Sequence, residues 1–309
     1  MPEIAVVIPA YNPGPHLARS LGSVLAQDLT DWECVVVDDG SAQPVELAAV
    51  PGLEAAAGDP RVRVHRQANG GVSVARNVGV ALTDSRWVAF LDQDDAWEPA
   101  KLRRQLDLLR GDESAAFAHT GFVWRLPHAD LPATPVHAAY RDALACRAYV
   151  LMSSLVVSRD HYTAVGGSDP LLAQQQDWAL VLDLLRRYGP PAYLPEQLVT
   201  YHVHEANVSR NYRRAAAEAV AVLDAHLVAA EFDGDRDTAS AIRTGLAQVR
   251  RLHGEQAVEN ARVAKESGDW GAVLDHLGAA ARLSPTVLTQ AFSRFALEQG
   301  RQVRRRVRA

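Results

Sequence analysis

One segment joins a strand-like apolar run to a cluster of acids: Trp87-Val88-Ala89-Phe90-Leu91-Asp92-Gln93-Asp94-Asp95-Ala96-Trp97-Glu98-Pro99. The five apolar residues at its start predict a strand that is buried on both faces. Ligands of open α/β sheets bind at the carboxyl ends of the strands, where this run meets its three carboxylates. Such a cluster needs protons or cations to offset its repulsion, and oxygen ligands suit Mg²⁺ or Mn²⁺. The alternative interpretation is a solvated acidic turn before a helix that begins near Pro99.

Three more strands are predicted upstream, at residues 4–8, 33–37 and 62–65, and helices follow the first and third of them. Strands that alternate with helices at this spacing imply right-handed crossovers and a parallel sheet. The loops after all four strands then emerge along one edge of the sheet. That edge is predicted to collect Asn12, Asp39, Arg76 and the acids at 92–95.

Composition and motifs exclude several classes of protein. The net charge of −5 argues against a general nucleic-acid binder. The turn after the first strand, residues 9–14, lacks the glycines of the dinucleotide fingerprint, and the chain has no P-loop motif. Cys34 and Cys146 lie in different regions and predict no disulfide framework, which fits a reducing compartment. The chain has no signal segment and no apolar run of membrane-spanning length, so we expect a cytoplasmic protein.

After the acidic cluster at 92–95, the spacing of apolar residues predicts further helices and strands. Helices are expected at 102–109 and 176–188, strands at 115–125, 153–158 and 198–203, and a loop at 127–137. From residue 213 the chain becomes rich in Ala, Leu and Arg, and residues 259–284 are similar to one tetratricopeptide-like helix-turn-helix. We therefore predict an α/β domain at 1–212 and a helical region with a basic tail at 213–309.

Four segments together carry a family resemblance: Val7-Ile8-Pro9-Ala10-Tyr11-Asn12, Val36-Val37-Asp38-Asp39-Gly40-Ser41, Asn69-Gly70-Gly71 with Ala75-Arg76-Asn77-x-Gly79, and Phe90-Leu91-Asp92-Gln93-Asp94-Asp95. In order and spacing the chain resembles the inverting glycosyltransferases of family 2, over about residues 1 to 210. The resemblance implies a GT-A fold, which is a Rossmann-like, mostly parallel sheet flanked by helices; here a C-terminal all-helical extension follows it. The implied activity is transfer of a hexose-type sugar from a nucleotide diphosphate to a hydroxyl acceptor, in surface polysaccharide or glycan synthesis.

The resemblance also assigns site residues. A nucleotide-sugar is expected to contact the positions Pro9, Ala10, Tyr11, Asn12, Asp39, Gly71, Arg76, Asp92, Gln93 and His204. The Asp92/Asp94 pair corresponds to the family's Asp-x-Asp motif, which places Mn²⁺ or Mg²⁺ on the diphosphate, and His204 is a further candidate ligand. Asp39 can accept a hydrogen bond from uracil, thymine or guanine, so UDP-, TDP- and GDP-linked donors stay open.

The family's general base is the Asp of a Glu-Asp pair that opens a helix. This position is Asp177 here, and Gln176 replaces the Glu. A neutral neighbour raises the pKa of the base less than a second carboxylate would, so the environment must tune Asp177 in another way or activity is modest. The alternative role of Asp177 is that of an ordinary first-turn acid that favours the helix dipole.

The family's last motif places a basic residue and a His before Asn-x-Ser. His202 and His204 precede Asn207 and Ser209, and we favour His204. Five arginines within residues 301–309 are either a solvated tail or a contact with anionic lipid at the inner face of the membrane, where a lipid-linked acceptor would lie. Two alternatives to the enzyme are a non-catalytic nucleotide-sugar binder or scaffold and a sugar-phosphate nucleotidylyltransferase.

Overall fold

A computed structural model describes residues 1–112, 114–126, 128–133, 138–203 and 211–293. The chain divides into two compact units. The first has its described residues within 1–143 and 147–203, and the second has its described residues within 144–146 and 211–293. His204 and the arginine-rich segment at 301–309 lie outside the described residues, so their predicted roles stay predictions.

Strands and helices alternate through the first part of the chain, as the apolar pattern predicts. The elements are β1 (Ile4–Ala10), α1 (His16–Leu25), β2 (Trp32–Asp39), α2 (Glu54–Ala57), β3 (Val62–Gln67), α3 (Val72–Ala81), β4 (Trp87–Phe90), β5 (Ala96–Trp97), α4 (Lys101–Gly111), β6 (Phe117–Arg125), β7 (Asp130–Ala133), α5 (Tyr140–Leu144), β8 (Val156–Ser158), α6 (Arg159–Ala164), α7 (Gln176–Tyr188) and β9 (Ala192–His202).

These strands form one sheet in the order β3-β2-β1-β4-β8-β6-β9-β5, with β7 paired to β6. The pairs β3–β2, β2–β1 and β1–β4 are parallel, so the loops after these strands leave one edge of the sheet, as predicted. Beyond β4 the sheet is mixed: β8 is antiparallel to β4 and to β6, and β9 is parallel to β6. The α/β fold class is confirmed, and the sheet is mixed: the pairs among the first four strands and the β6–β9 pair are parallel, and the other pairs are antiparallel.

Three predicted segments differ in detail from the structure. The expected loop at 127–137 contains the short strand β7, in which Pro132 lies opposite Val123. Proline is tolerated in an edge strand because no neighbour needs its missing N–H. The expected strand at 198–203 begins earlier, at Ala192, and its ladder with β6 shifts register where β9 contains Pro195. The expected strand at 153–158 begins instead as a 3₁₀ turn, Met152–Ser154.

Helices cover both faces of the parallel strands. Side chains alternate along a strand, and Val6 and Ile8 belong to the same buried cluster as Leu21 of α1. Val7 points to the opposite face, towards α3. A Cβ added to Gly79 of α3 would lie 2.3 Å from Cγ1 of Val7, so the absence of a side chain at Gly79 lets α3 approach the sheet.

We expect Gly79→Ala to destabilise the protein by about 1–3 kcal/mol, because the added methyl group overpacks this contact. The matched control is Gly22→Ala in α1, where an added Cβ meets nothing within 4 Å. That change is expected to stabilise by about 0.5–1 kcal/mol, since alanine favours the helix. Urea unfolding of both variants measures the difference, and an unchanged midpoint for Gly79→Ala would contradict the close approach.

Lys101 is an unusual member of the core, because its side chain has 0% exposure. Its Nζ lies 4.0 Å from the centre of the Trp97 ring and has no hydrogen-bond partner among the described residues. Burial lowers the pKa of Lys101 well below its ordinary value. A buried amine without a hydrogen-bond partner costs stability.

Lys101→Met is therefore expected to raise the free energy of unfolding by about 1–3 kcal/mol at neutral pH. Because the pKa is lower in the folded state, the unfolded chain binds more protons, and wild-type stability rises with pH up to the ordinary value of 10.5. The methionine variant lacks this rise. Urea unfolding at several pH values tests the claim, and a destabilised variant with the wild-type pH slope would refute it.

The described part of the second unit is helical, as the C-terminal composition predicts. Its helices are α8 (Tyr212–Phe232), α9 (Arg236–Glu266) and α10 (Trp270–Leu283), and α9 packs against both of the others. Each begins with a capping side chain: Asn211, Asp235 and Asp269 accept hydrogen bonds from backbone N–H groups of the first turns. Within the described residues, no helix combines the length and the apolar character needed to cross a bilayer.

Candidate active site

The acidic loop between β4 and β5 divides its carboxylates into two kinds. Asp92 and Asp94 are partly exposed, whereas Asp95 has 0% exposure. The Ser153 hydroxyl donates a hydrogen bond of 2.5 Å to Oδ2 of Asp95 and accepts one of 3.1 Å from the backbone N–H of Asp92. Burial raises the pKa of Asp95 well above its usual range, and the charges of Asp92 and Asp94 raise it further. Asp92 and Asp94 are therefore the carboxylates that can face a ligand.

Arg76 places a buried cation beside this pair. It lies on α3 with 2% exposure, and its Nη2 is 2.6 Å from Oδ1 of Asp92. Nε and Nη1 have no hydrogen-bond partner among the described residues. Arginine donors match phosphate oxygens, and unsatisfied buried donors are rare unless a ligand completes them. The side chain is thus suited to hold an anion at the edge of the sheet.

Asp177 lies in the first turn of α7, which begins at the predicted residue, Gln176. Its Oδ1 accepts a hydrogen bond of 2.8 Å from the Trp178 backbone, and its Oδ2 is 3.4 Å from the Tyr149 hydroxyl. Burial is the main cause that raises the pKa of Asp177, and the nearby charge of Arg76 lowers it in part. The raised pKa therefore arises from burial, without a carboxylate at position 176.

The loops after β1, β2 and β4 are tied together by hydrogen bonds. The Tyr11 backbone N–H donates to Oε1 of Gln93 at 2.8 Å, and the Asn12 N–H donates to the Ser41 hydroxyl at 2.9 Å. Asn12 has a left-handed φ of 46°, which asparagine tolerates. Pro9 and Ala10 are buried at the end of β1, so they support this edge of the sheet from within.

Asp39 organises the turn that leads into α3. Its Oδ1 accepts hydrogen bonds of 2.8 Å from Gln67 Nε2 and the Gly70 N–H, and its Oδ2 accepts one of 2.8 Å from the Gly71 N–H. Gly71 has a φ of 88° immediately before the helix. Asp39 thus helps to place α3 and Arg76, and Oδ2 keeps one lone pair for a nucleotide base.

The residues that sequence reasoning missed are Ser153, Gln67 and Tyr149. Each reaches a predicted site residue through a contact far along the chain; Ser153 and Asp95 are 58 residues apart. No local pattern marks these positions, because a serine or a tyrosine in an irregular segment carries no periodic signal. The adjacent buried serines at 153 and 154 were the only available hint.

A metal ion has a limited set of ligands here. The described residues contain no group of three or more His, Cys, Asp or Glu side chains that could hold one. His202, at the end of β9, is half-buried, and burial together with Arg19 and Arg125 lowers its pKa to about 4. Two partly exposed carboxylates, Asp92 and Asp94, fit Mg²⁺ or Mn²⁺, which take one or two carboxylates and otherwise bind water and phosphate oxygens.

Comparisons with known proteins find relatives of this chain. The model of glycosyl transferase family 2 matches residues 5–125. TuaG of Bacillus subtilis (strain 168), named as a glycosyltransferase of teichuronic acid biosynthesis, is 31% identical over 70% of this chain and 84% of that protein. The succinoglycan biosynthesis protein ExoO of Rhizobium meliloti (strain 1021) is 30% identical over 72% of this chain and 67% of that protein.

Solved structures agree at the level of the fold. The crystal structure of S. aureus TarS in complex with UDP-GlcNAc matches with a TM-score of 0.59 at 14% identity, over 91% of each chain. The mixed sheet, with its flanking helices, is thus of the GT-A type found in glycosyltransferases. The chain belongs to glycosyl transferase family 2, so the predicted family and the predicted class of enzyme are confirmed.

Proposed function

We propose that this glycosyltransferase moves a sugar from a nucleotide diphosphate to a hydroxyl acceptor, with inversion at the anomeric carbon, during polysaccharide or other glycan synthesis. The observation that carries the proposal is the position of Arg76 between two acids. Its Nη2 bonds Asp92, and its charge lowers the pKa of Asp177. An anion site and a partly buried carboxylate therefore lie near each other.

The donor diphosphate belongs at the anion site. Nε and Nη1 of Arg76 would donate to its oxygens, and Asp92 and Asp94 would hold a divalent cation against it. When bound, that cation supplies Lewis-acid neutralisation of the charge on the departing diphosphate. The tied loops after β1 and β2, with Tyr11, Asn12 and Asp39, form the place for the base.

The acceptor belongs at Asp177. In a single displacement, the carboxylate takes the proton of the acceptor hydroxyl while that oxygen attacks the anomeric carbon and the bond to the diphosphate breaks. The raised pKa makes Asp177 a stronger base than an ordinary aspartate, and its position in the first turn of α7 holds it in place. Gln176 leaves this role intact, because burial supplies the shift in pKa.

The names of the relatives suggest the kinds of substrate. TuaG and ExoO are named for the synthesis of teichuronic acid and succinoglycan, and TarS was solved with UDP-GlcNAc. For this chain we propose a glycan or lipid-linked acceptor, and we take a UDP-linked sugar as the first candidate for the donor. A cytoplasmic enzyme that contacts the inner face of the membrane through residues 301–309 would meet such acceptors, and that part of the proposal rests on sequence alone.

A thermal-shift panel tests the donor. UDP-, TDP- and GDP-sugars are added with and without Mn²⁺ or Mg²⁺, because a ligand at 100 times its Kd stabilises the folded state by about 2.7 kcal/mol. We expect the nucleotide sugars that carry one particular base to raise the melting temperature of the protein, and only when a divalent cation is present. The nucleoside monophosphate of the same base, which lacks the diphosphate, should raise the melting temperature much less. Absence of both stabilisation and donor hydrolysis across the panel would overturn the proposal.

A further inference from the structure

Four aromatic side chains form a continuous surface in the first unit, which we call the aromatic wall: Phe122 and Trp124 of β6, Tyr201 of β9, and Tyr149. Trp124 packs edge-on against Tyr201 with ring centres 4.8 Å apart, and against Phe122 at 5.3 Å. Phe122 in turn contacts Tyr149 at 6.3 Å. The rings therefore support one another across two paired strands and the segment after α5.

The wall borders the candidate active site. The Tyr149 hydroxyl is 3.4 Å from Oδ2 of Asp177. Tyr201 is close enough to the acidic loop and to Asp177 for their negative charges to raise its pKa, although burial is the larger cause. Two phenol groups of the wall thus approach the volume between the acidic loop and α7.

Tyr149 is exposed although the ring behind it is buried. Its exposed fraction is 48%, whereas that of Phe122 is 6%. A tyrosine held by its edge at the mouth of a polar site offers an apolar face beside a polar hydroxyl. Sugar rings have the matching character, because their C–H faces are apolar and their hydroxyl groups are polar.

We propose that the exposed face of Tyr149 binds the sugar ring of the acceptor, so that the acceptor is the end of a glycan. This inference rests on the proposed function. A general base must lie about 2.6–3.2 Å from the hydroxyl that it deprotonates. An acceptor hydroxyl at Asp177 therefore brings the atoms around it against Tyr149. The donor phosphates belong at Arg76 and Asp92, so we assign the ring beside Tyr149 to the acceptor, and the KM for the donor tests this assignment against a contact with the donor sugar.

The test uses two substitutions and two kinds of probe. Tyr149→Leu removes the aromatic face, and Tyr149→Phe keeps the ring as the matched control. Methyl pyranosides serve as ring probes, and the open-chain polyol glucitol serves as the control ligand. Saturation-transfer NMR in the presence of the preferred nucleotide measures probe binding, and hydrolysis of the donor by water measures the donor site. Thermal melting confirms that both variants are folded.

We expect at least one pyranoside to bind wild type and Tyr149→Phe, and to bind Tyr149→Leu roughly tenfold more weakly. Donor KM for hydrolysis should stay the same in all three proteins, and glucitol binding should not depend on the ring. Equal pyranoside binding by Tyr149→Leu, no pyranoside binding by wild type, or a raised donor KM would overturn the inference. In these cases donor hydrolysis by wild type shows that the proposed function survives, whereas its absence shows that the proposed function itself fails.

Discussion

Asp177→Asn is expected to lower sugar transfer by roughly 10²–10⁴-fold while the affinity for the donor stays near that of wild type. Asparagine keeps the shape and the hydrogen bond to the Trp178 backbone, and it removes only the proton acceptor. Steady-state kinetics with calorimetric donor titration separate the two effects. Transfer at a near wild-type rate would show that Asp177 is only a first-turn residue of α7.

The matched control for this variant is Asp183→Asn. Asp183 is an exposed acid of the same helix. It lines an open pocket with Arg186 and Arg187 of its own helix. We expect Asp183→Asn to retain transfer within a factor of about two to three, since loss of a general base costs far more. A comparable loss in both variants would indicate disruption of α7 and not loss of a base.

The pH dependence gives a second measure of the same residue. Because burial raises the pKa of Asp177, transfer should fall as the pH drops through a value above the ordinary 3.8, and Asp177→Asn should lack this limb. The folded state also holds this proton more tightly than the unfolded chain. Stability is therefore lost as pH rises from 3.8 to the raised pKa, and Asp177→Asn should be at least as stable as wild type at neutral pH.

The second large effect concerns the metal. Excess chelator should abolish transfer, because the charge on the leaving diphosphate then lacks its metal counterion. Asp94→Ala should remove the thermal stabilisation that donor and Mn²⁺ together give to the protein. Asp94 is the better choice for this test, since Asp92 also bonds Arg76 and its loss would disturb two contacts.

Asp107→Ala is the control for the loss of one negative charge. Asp107 lies on α4 with a side chain that is 53% exposed, where its ion pairs with Arg103 and Arg110 contribute little. Donor and Mn²⁺ together should stabilise the Asp107→Ala variant as much as they stabilise wild type. Full transfer in excess chelator, or unchanged donor stabilisation in Asp94→Ala, would leave the acidic loop as a turn before α4 and contradict the metal site.

Sequence reasoning succeeded where the signal is local. The apolar run at β4 ends at its acids as predicted, α7 begins at Gln176, and Arg76 lies within reach of Asp92. In each case, apolar periodicity or a compact motif determines the position of the residue. The parallel half of the sheet follows from the same alternation of strand and helix.

The features that were missed depend on contacts between distant segments. Ser153 supports the acidic loop, and Tyr149 reaches Asp177, yet neither belongs to a periodic pattern. The antiparallel half of the sheet needs no crossover helix between β6 and β7, so alternation cannot predict it. A lysine at the start of a helix gives no sign of burial in the sequence, and the packing against Trp97 makes Lys101 part of the core.

Inversion at the anomeric carbon is tested most directly by the configuration of the sugar that the protein releases. Proton NMR can follow the anomeric signal while the protein consumes the preferred donor, for example UDP-α-glucose, with Mn²⁺ and water as the acceptor. From UDP-α-glucose we expect the β-anomer of the sugar to be released first and the α-anomer to appear only later, by mutarotation. Initial release of the α-anomer would show retention and would contradict a mechanism in which Asp177 acts as the base of one displacement.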